Sequence, residues 1–363
     1  MKEKGRLTAI MAAVAVALIV LVVLAALVTR ASAPSGRAAV HGGERRPRGA
    51  AQGLAQGPAQ GPAQGPVHWD GPALCYPKEL VAEGLKFVRN MIRESRRFGP
   101  ARAEDHEKLA AEASRLSRKY DVAVSGPQLV AVRDMEVALE SQAGGVRALR
   151  YGAEMLAASR AGEPVVAIAE RYRVPPVAAL RQILLELGHS AAAVRAMIAD
   201  SAQMPPRLAR EAAAIFEADL GSRLNAGRAR ARSQAYEDAL GAHLRRLGLQ
   251  FQTEDDLRRA HRASGGQAPP LLTPDYLLDA PALINGSPVH WIDAKDYPMY
   301  GSRLVARSLA SQAAKYTAAF GPGAMVFSGG VMCDARVSTP GAAKLPKIVP
   351  AEPLLLDGSH VSA

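Results

Sequence analysis

Two neighbouring stretches decide the fold of the C-terminal third: TPDYLLDAPALI (residues 273–284) and SPVHWIDAK (residues 287–295). Both are short apolar runs bounded by Gly, Pro and Asn, which is typical of strands, and Asn285-Gly286 between them predicts a turn. A helical pattern (233–248) and a third strand, LQFQT (249–253), precede them. A further helix (308–320) and the strand AMVFSGGVM (324–332) follow. The order predicts a small α/β domain with a mixed sheet flanked by helices.

The strand that contains Asp293 and Lys295 places both side chains on one face. Side chains alternate across a strand, so this face also includes Trp291, while His290, Ile292 and Ala294 point to the other. Asp275 follows Pro274 at the entry to the neighbouring strand, and Glu237 lies on the preceding helix. The sequence thus predicts an acidic cluster with one lysine.

Carboxylates that converge on one point raise one another's pKa unless a cation holds them. A hard divalent ion relieves this repulsion, and Mg²⁺ typically uses one or two carboxylates with water and phosphate oxygens. A lysine beside such an ion can orient the attacking water and stabilise charge on a phosphate. An Asp-x-Lys pair alone is also common on solvated strand edges, but the ordered set favours phosphodiester hydrolysis.

One helix after these strands carries Gln312 and Tyr316, which are spaced i and i+4 and share a face. They could point at the acidic cluster or at nucleic acid, or they could simply be half-buried packing residues.

Residues 76–231 have helical periodicity throughout. Two similar stretches, LSRKYDV (116–122) and IAERYRV (168–174), each end a helical pattern and lead through a turn into another. This predicts helix-turn-helix-like hairpins, whose second helix can enter a major groove. A helical packing module without DNA contact has the same pattern, and both interpretations stay open.

The N-terminal residues differ in composition from the rest of the chain. Leu7–Val28 is an uncharged apolar run, longer than the roughly 7–15 residues of a secretory signal, which favours a membrane anchor over a removed signal. More Lys and Arg follow the run than precede it, so the body of the protein would lie on the cytosolic side. Residues 51–66 repeat AQGP-like units and predict a mobile tether. The predicted domains are an anchor or signal (1–33), a disordered linker (34–75), the helical module (76–231), the α/β domain (232–337) and a tail (338–363).

Composition excludes some classes of protein. Only Cys75 and Cys333 occur among 363 residues, so neither a disulfide scaffold nor a cysteine-based zinc module is expected. The net charge of +11 favours a polyanion or a membrane surface as partner. Part of that charge lies in residues 1–70, so the charge alone does not identify the partner.

The stretches LGLQFQTEDDLR, TPDYLL, HWIDAK, QAAKY and FGPG resemble the TPD-motif domain of the codanin-interacting nucleases, a branch of the PD-(D/E)xK superfamily. The resemblance covers roughly residues 104–337 and does not include residues 1–75. In this family the helical part is described as paired helix-turn-helix units. Members tend to carry Glu at the position of Asp293, and the shorter side chain would shift a bound metal slightly.

The resemblance implies a metal-dependent nuclease. Glu237 would be the acid on the first core helix, Asp275 the Asp of the PD element, and Asp293 with Lys295 the (D/E)xK element. Gln312 and Tyr316 match a QxxxY motif of related exonuclease-like branches. The expected metal is Mg²⁺ or Mn²⁺, held by Glu237, Asp275 and Asp293 with the carbonyl of Ala294.

The expected partners are nucleic acid, with DNA favoured, and a codanin-like protein. The resemblance places the protein in the nucleus and cytoplasm, whereas Leu7–Val28 indicates a membrane. The alternative is a non-catalytic nucleic-acid-binding or scaffold protein that partners a codanin-like protein.

Overall fold

A computed structural model of the chain describes residues 68–69, 75–263, 272–284, 286–300 and 303–332. All of them belong to one compact unit, Pro62–Ala363. The predicted anchor or signal, most of the linker, the tail and Asn285 lie outside the described residues. No helix in the described part of the chain is long and apolar enough to span a bilayer.

The described helices are α1 Lys78–Ser95, α2 Ala103–Tyr120, α3 Gly126–Arg150, α4 Gly152–Arg160, α5 Val165–Tyr172, α6 Pro176–Glu186, α7 Ala191–Ala199, α8 Pro206–Glu217, α9 Arg223–Arg246, α10 Glu254–Ala263 and α11 Arg303–Phe320. The described strands are β1 His68–Trp69, β2 Cys75–Tyr76, β3 Phe251–Thr253, β4 Tyr276–Ile284, β5 Ser287–Lys295, β6 Gly323–Phe327 and β7 Val331–Met332.

The helical region contains two hydrophobic cores. Helices α1 to α3 enclose one, around Val88, Leu109 and Leu116, and helices α4 to α8 contribute to another, which includes Ile168 and Leu180. The predicted predominance of helices in this part of the chain is therefore confirmed.

The two similar stretches end their helices in the same way. Helix α2 ends at Tyr120 and α5 at Tyr172, and the next residues, Asp121 and Arg173, adopt left-handed backbone with φ of 50° and 53°. This conformation turns the chain out of a helix. Pro176 then opens α6, where its missing N–H needs no partner. The helical hairpins are present, and their contact with DNA stays a prediction.

A small mixed sheet forms the C-terminal layer, as predicted. Strands β3, β4 and β5 are antiparallel, while β6 adds parallel to β5 and β1 parallel to β4. Helix α9 covers one face through Leu240 and Leu244, which pack with Ile292. Helix α11 covers the other through Leu309 and Ala313, which pack with Trp291. The predicted alternation of Trp291 and Ile292 is confirmed.

The structure differs from the sequence prediction at short elements. Helix α10 follows β3 directly and was not predicted. AMVFSGGVM divides into β6 and β7, because Gly330, with φ of 78°, turns the chain and β7 pairs with β2 instead. His68–Trp69, inside the predicted linker, pairs with Leu283–Ile284. Pairings of two residues use main-chain hydrogen bonds and leave no side-chain period. The predicted domain boundary at Arg232 falls within α9.

Candidate functional site

Strand register brings the two predicted aspartates together. Strands β4 and β5 pair Tyr276 with Ile292, so continuing this register places Asp275 opposite Asp293. Opposite side chains on one face of an antiparallel pair lie roughly 5 Å apart at Cβ. A 2.6 Å hydrogen bond, donated by the backbone N–H of Ala294 to Asp275 Oδ2, fixes this carboxylate against β5.

The same register continues across β3 to a residue that sequence reasoning missed. Thr253 pairs with Tyr276, which places Glu254 opposite Asp275. The Glu254 N–H donates to the Asp275 carbonyl at 3.3 Å, and the Glu254 carboxylate accepts from Thr273 Oγ1 at 2.8 Å. Glu254, just after β3, and Asp275, just before β4, therefore form a row with Asp293 of β5. Drawing the antiparallel register between LQFQT and DYLL would have identified Glu254.

Lys295 lies beside this acidic row. Its ammonium forms an ion pair with Asp293 Oδ2, and both side chains are largely buried, with 14% and 3% of their surfaces exposed. The predicted pairing of Asp293 and Lys295 on one face is therefore present. Asp293 Oδ1 faces α11, where Gln312 Nε2 donates to it at 3.4 Å.

Gln312 and Tyr316 connect the acidic row to α11. Gln312 Nε2 donates to the Tyr316 hydroxyl at 3.2 Å, which confirms that the two residues share a face. Tyr316 OH in turn donates to the carbonyl of Thr273 at 2.9 Å, just before Asp275. This chain of hydrogen bonds reaches Asp293 at one end and the loop before β4 at the other.

Glu237, on α9, is close enough to the cluster to interact with it electrostatically. Helix α9 is anchored on the sheet by Tyr276, whose hydroxyl donates to the Glu237 carbonyl. Burial raises the pKa of the half-buried Glu237 carboxyl, and the charges of Glu254, Asp238 and Asp293 raise it further. The structure gives Glu237 an electrostatic interaction with Asp293 and Lys295, while no hydrogen bond between its carboxylate and either residue is present in the described region.

Burial opposes ionisation of Asp275 and Asp293. Burial, and then the neighbouring Asp293 charge, raise the pKa of Asp275 to about 8. Burial also raises the pKa of Asp293, although Lys295 opposes the shift. Burial raises the pKa of Tyr316 to about 12. The charge of Asp275, beside the ion pair of Asp293 and Lys295, thus carries a free-energy penalty that a further cation would reduce.

The side chains of the acidic row offer oxygen donors to a metal ion. Within the described residues, no three His, Cys, Asp or Glu side chains gather at a distance that could hold an ion, so the predicted ligand set of Glu237, Asp275 and Asp293 is not assembled there. Asp275 and Asp293 supply hard oxygen donors, and Mg²⁺ takes as few as one or two carboxylates, with water and phosphate completing its shell. Asp275 and Asp293 therefore suit Mg²⁺ or Mn²⁺. The carbonyl of Ala294 as a further ligand stays a prediction.

The C-terminal part of the chain is thus an α/β domain. Its small mixed sheet is flanked by helices and carries the acidic row and a lysine at one end. Residues 205–361 match a family model described as a protein of unknown function with a TPD sequence motif. An uncharacterised protein of Acanthamoeba polyphaga mimivirus is 38% identical over 135 residues, which are 36% of this chain and 42% of the viral protein. The chain thus spans about two fifths of that relative's length. No solved structure matches the chain.

Proposed function

We propose that this protein is a metal-dependent nuclease of the PD-(D/E)xK type that hydrolyses phosphodiester bonds, with DNA the favoured polymer. The observation that carries the proposal is the register that sets Asp275 opposite Asp293, beside Lys295. An acid from each of two strands and a lysine two residues after the second acid form the layout that metal-assisted hydrolysis requires. The match of residues 205–361 to a TPD-motif family is consistent with this proposal.

In this proposal Asp275 and Asp293 hold the metal ion, with Glu237 and Glu254 adding negative charge nearby. The ion, when bound, would neutralise charge on the phosphate and lower the pKa of water. Lys295 would leave its ion pair with Asp293 to orient the attacking water and hold negative charge on a phosphate oxygen. Gln312 and Tyr316 keep Asp293 and the Thr273 loop in place.

The test is Lys295→Ala in the full chain, assayed with Mg²⁺ on single-stranded, duplex, flap and four-way DNA. We expect cleavage to be lost and binding to stay nearly unchanged, because Lys295 acts on the reacting group while other residues contact the polymer. Lys315→Ala is the matched control, since Lys315 is exposed on α11. Full activity of Lys295→Ala, on a substrate that the wild type cuts, would contradict the assignment.

A second candidate is a non-catalytic nucleic-acid-binding or scaffold protein, with a codanin-like protein as its partner. The Lys295 ion pair, which already neutralises Asp293, favours it. Calorimetric titration with Mn²⁺ separates the two functions. Binding that disappears in Asp275→Asn and Asp293→Asn supports the nuclease, whereas no binding at millimolar metal supports the scaffold.

A further inference from the structure

A basic cleft lies in the helical region, away from the acidic row. The cleft has a volume of about 330 Å³, and its walls come from the end of α1, from α3 and from the turn between α5 and α6. We name it the arginine cleft, after the arginines that line it: Arg89, Arg93, Arg96, Arg97 and Arg173.

The acids in the wall of the arginine cleft are already paired. Glu136 accepts from Arg89 at 2.6 and 3.2 Å, and Glu140 accepts from Arg147 at 2.6 Å. Arg97 is also paired, with acids at the start of α2. Acids within the protein therefore balance the charges of Arg89, Arg97 and Arg147.

Three arginines remain without a carboxylate partner in the described part of the chain: Arg93, Arg96 and Arg173. All three are exposed. Arg96 and Arg173 have left-handed backbone, with φ of 55° and 53°. The guanidinium of Arg147 donates to the Arg173 carbonyl at 2.9 and 2.7 Å, which fixes this turn at the edge of the cleft. The cleft thus presents three positive charges without carboxylate partners, and hydrogen bonds fix the backbone turn that carries one of them, Arg173.

Guanidinium groups pair with phosphate through two parallel hydrogen bonds, and a positively charged groove is how proteins follow a nucleic-acid backbone. The cleft is also connected to the acidic row. Its wall residue Glu136 accepts a 2.9 Å hydrogen bond from Tyr300, which follows Lys295 in the connection between β5 and α11. One hydrogen bond therefore joins the wall of the cleft to the connection that follows the proposed catalytic strand.

We infer that the arginine cleft binds the phosphates of a nucleic-acid backbone through Arg93, Arg96 and Arg173. The inference rests on the proposed function for the identity of the polymer. Basic side chains at helix C-termini also stabilise the helix dipole, but that effect acts on folding stability and needs no ligand. Binding and stability measurements therefore separate the two effects.

The experiment measures fluorescence anisotropy of labelled single-stranded and duplex DNA with the full chain, in EDTA, over a salt series. The cleft variant combines Arg93→Gln, Arg96→Asn and Arg173→Asn, because Asn tolerates left-handed backbone. The control variant removes the same charge from exposed helical arginines that do not line the cleft, through Arg118→Gln, Arg160→Gln and Arg195→Gln. Thermal unfolding of each variant reports its stability.

We expect the cleft variant to bind duplex DNA at least roughly tenfold more weakly than the wild type. The magnitude of the slope of log K against log salt should fall by about 2 to 3, because three phosphate contacts are lost. The control variant should change little in both. Equal losses in both variants, or none in the cleft variant, would overturn the inference. So would a wild type that does not bind DNA at low salt, or polyglutamate that competes as well as DNA.

The outcome also separates this inference from the proposed function. If DNA binding depends on the cleft but the wild type cleaves no substrate, the inference about the cleft holds and the proposed nuclease function fails. Cleavage by the wild type with unchanged binding by the cleft variant would remove the inference alone.

Discussion

Replacing Asp275 by Asn should stabilise the metal-free protein at neutral and alkaline pH. The Asp275 carboxyl is mostly buried and lies beside Asp293, and these two causes raise its pKa from 3.8 to about 8. Asn keeps an oxygen that can accept the 2.6 Å hydrogen bond from Ala294 N–H. The substitution therefore removes the titrating carboxyl and keeps the local contact.

The direction of the pH effect follows from proton binding. In the unfolded chain the carboxyl ionises near pH 4, whereas in the folded chain it keeps its proton up to about pH 8. Between these values the folded state binds more protons, so the free energy of unfolding falls as the pH rises. The shift sets an upper limit of about 6 kcal/mol. Local rearrangement and water entry reduce it, and we expect about 2 to 3 kcal/mol.

The assay is urea unfolding in EDTA at about pH 5, near the acidic end of this window, and at about pH 8.5, just above its alkaline end. The free energy of unfolding of the wild type should fall from the lower pH to the higher. That of Asp275→Asn should fall less, by about 2 to 3 kcal/mol. Asp279→Asn is the control, because Asp279 is exposed on the same strand. Identical pH dependence in wild type and Asp275→Asn would refute the reasoning. With Mg²⁺ added, wild type should gain more stability than the variant.

Three further substitutions test buried contacts, two of them around the site and one in the helical region. Gly323→Ala should cost about 2 to 3 kcal/mol of unfolding free energy, because a Cβ there would overlap the indole of Trp291. Tyr316→Phe should cost about 1 kcal/mol and lower the cleavage rate more than DNA binding, because it removes the 2.9 Å hydrogen bond to Thr273. Asp219→Ala should cost about 2 to 3 kcal/mol, because this buried carboxylate accepts two backbone hydrogen bonds of 2.8 Å.

Matched variants make these three results specific. Gly145 is helical with open space around it, so Gly145→Ala should stabilise by up to about 1 kcal/mol. Tyr172→Phe removes a hydroxyl that has no hydrogen-bond partner in the described residues and should change little. Asp219→Asn keeps one oxygen acceptor and should cost less than Asp219→Ala. Denaturant unfolding measures all of them, and a loss in a control equal to that in its test variant would contradict the explanation.

The sequence predicted the elements that bury a continuous apolar stripe. Helix α9 and strands β4 and β5 are long enough for several side chains to repeat on one face, and Leu240, Leu244 and Ile292 are buried as their period requires. The sequence pattern did not predict helix α10, because this helix is strongly polar and none of its residues is buried. A helix without a buried stripe has no hydrophobic period to detect.

The sequence by itself determined the α/β order, the shared face of Asp293 and Lys295, and the shared face of Gln312 and Tyr316. These relations are local, because the geometry of one strand or one helix fixes them. Only the tertiary structure decided that Glu254 completes the acidic row and that the arginine cleft adjoins Tyr300. Such contacts depend on strand register and on packing between residues far apart in the chain, and no local period records either.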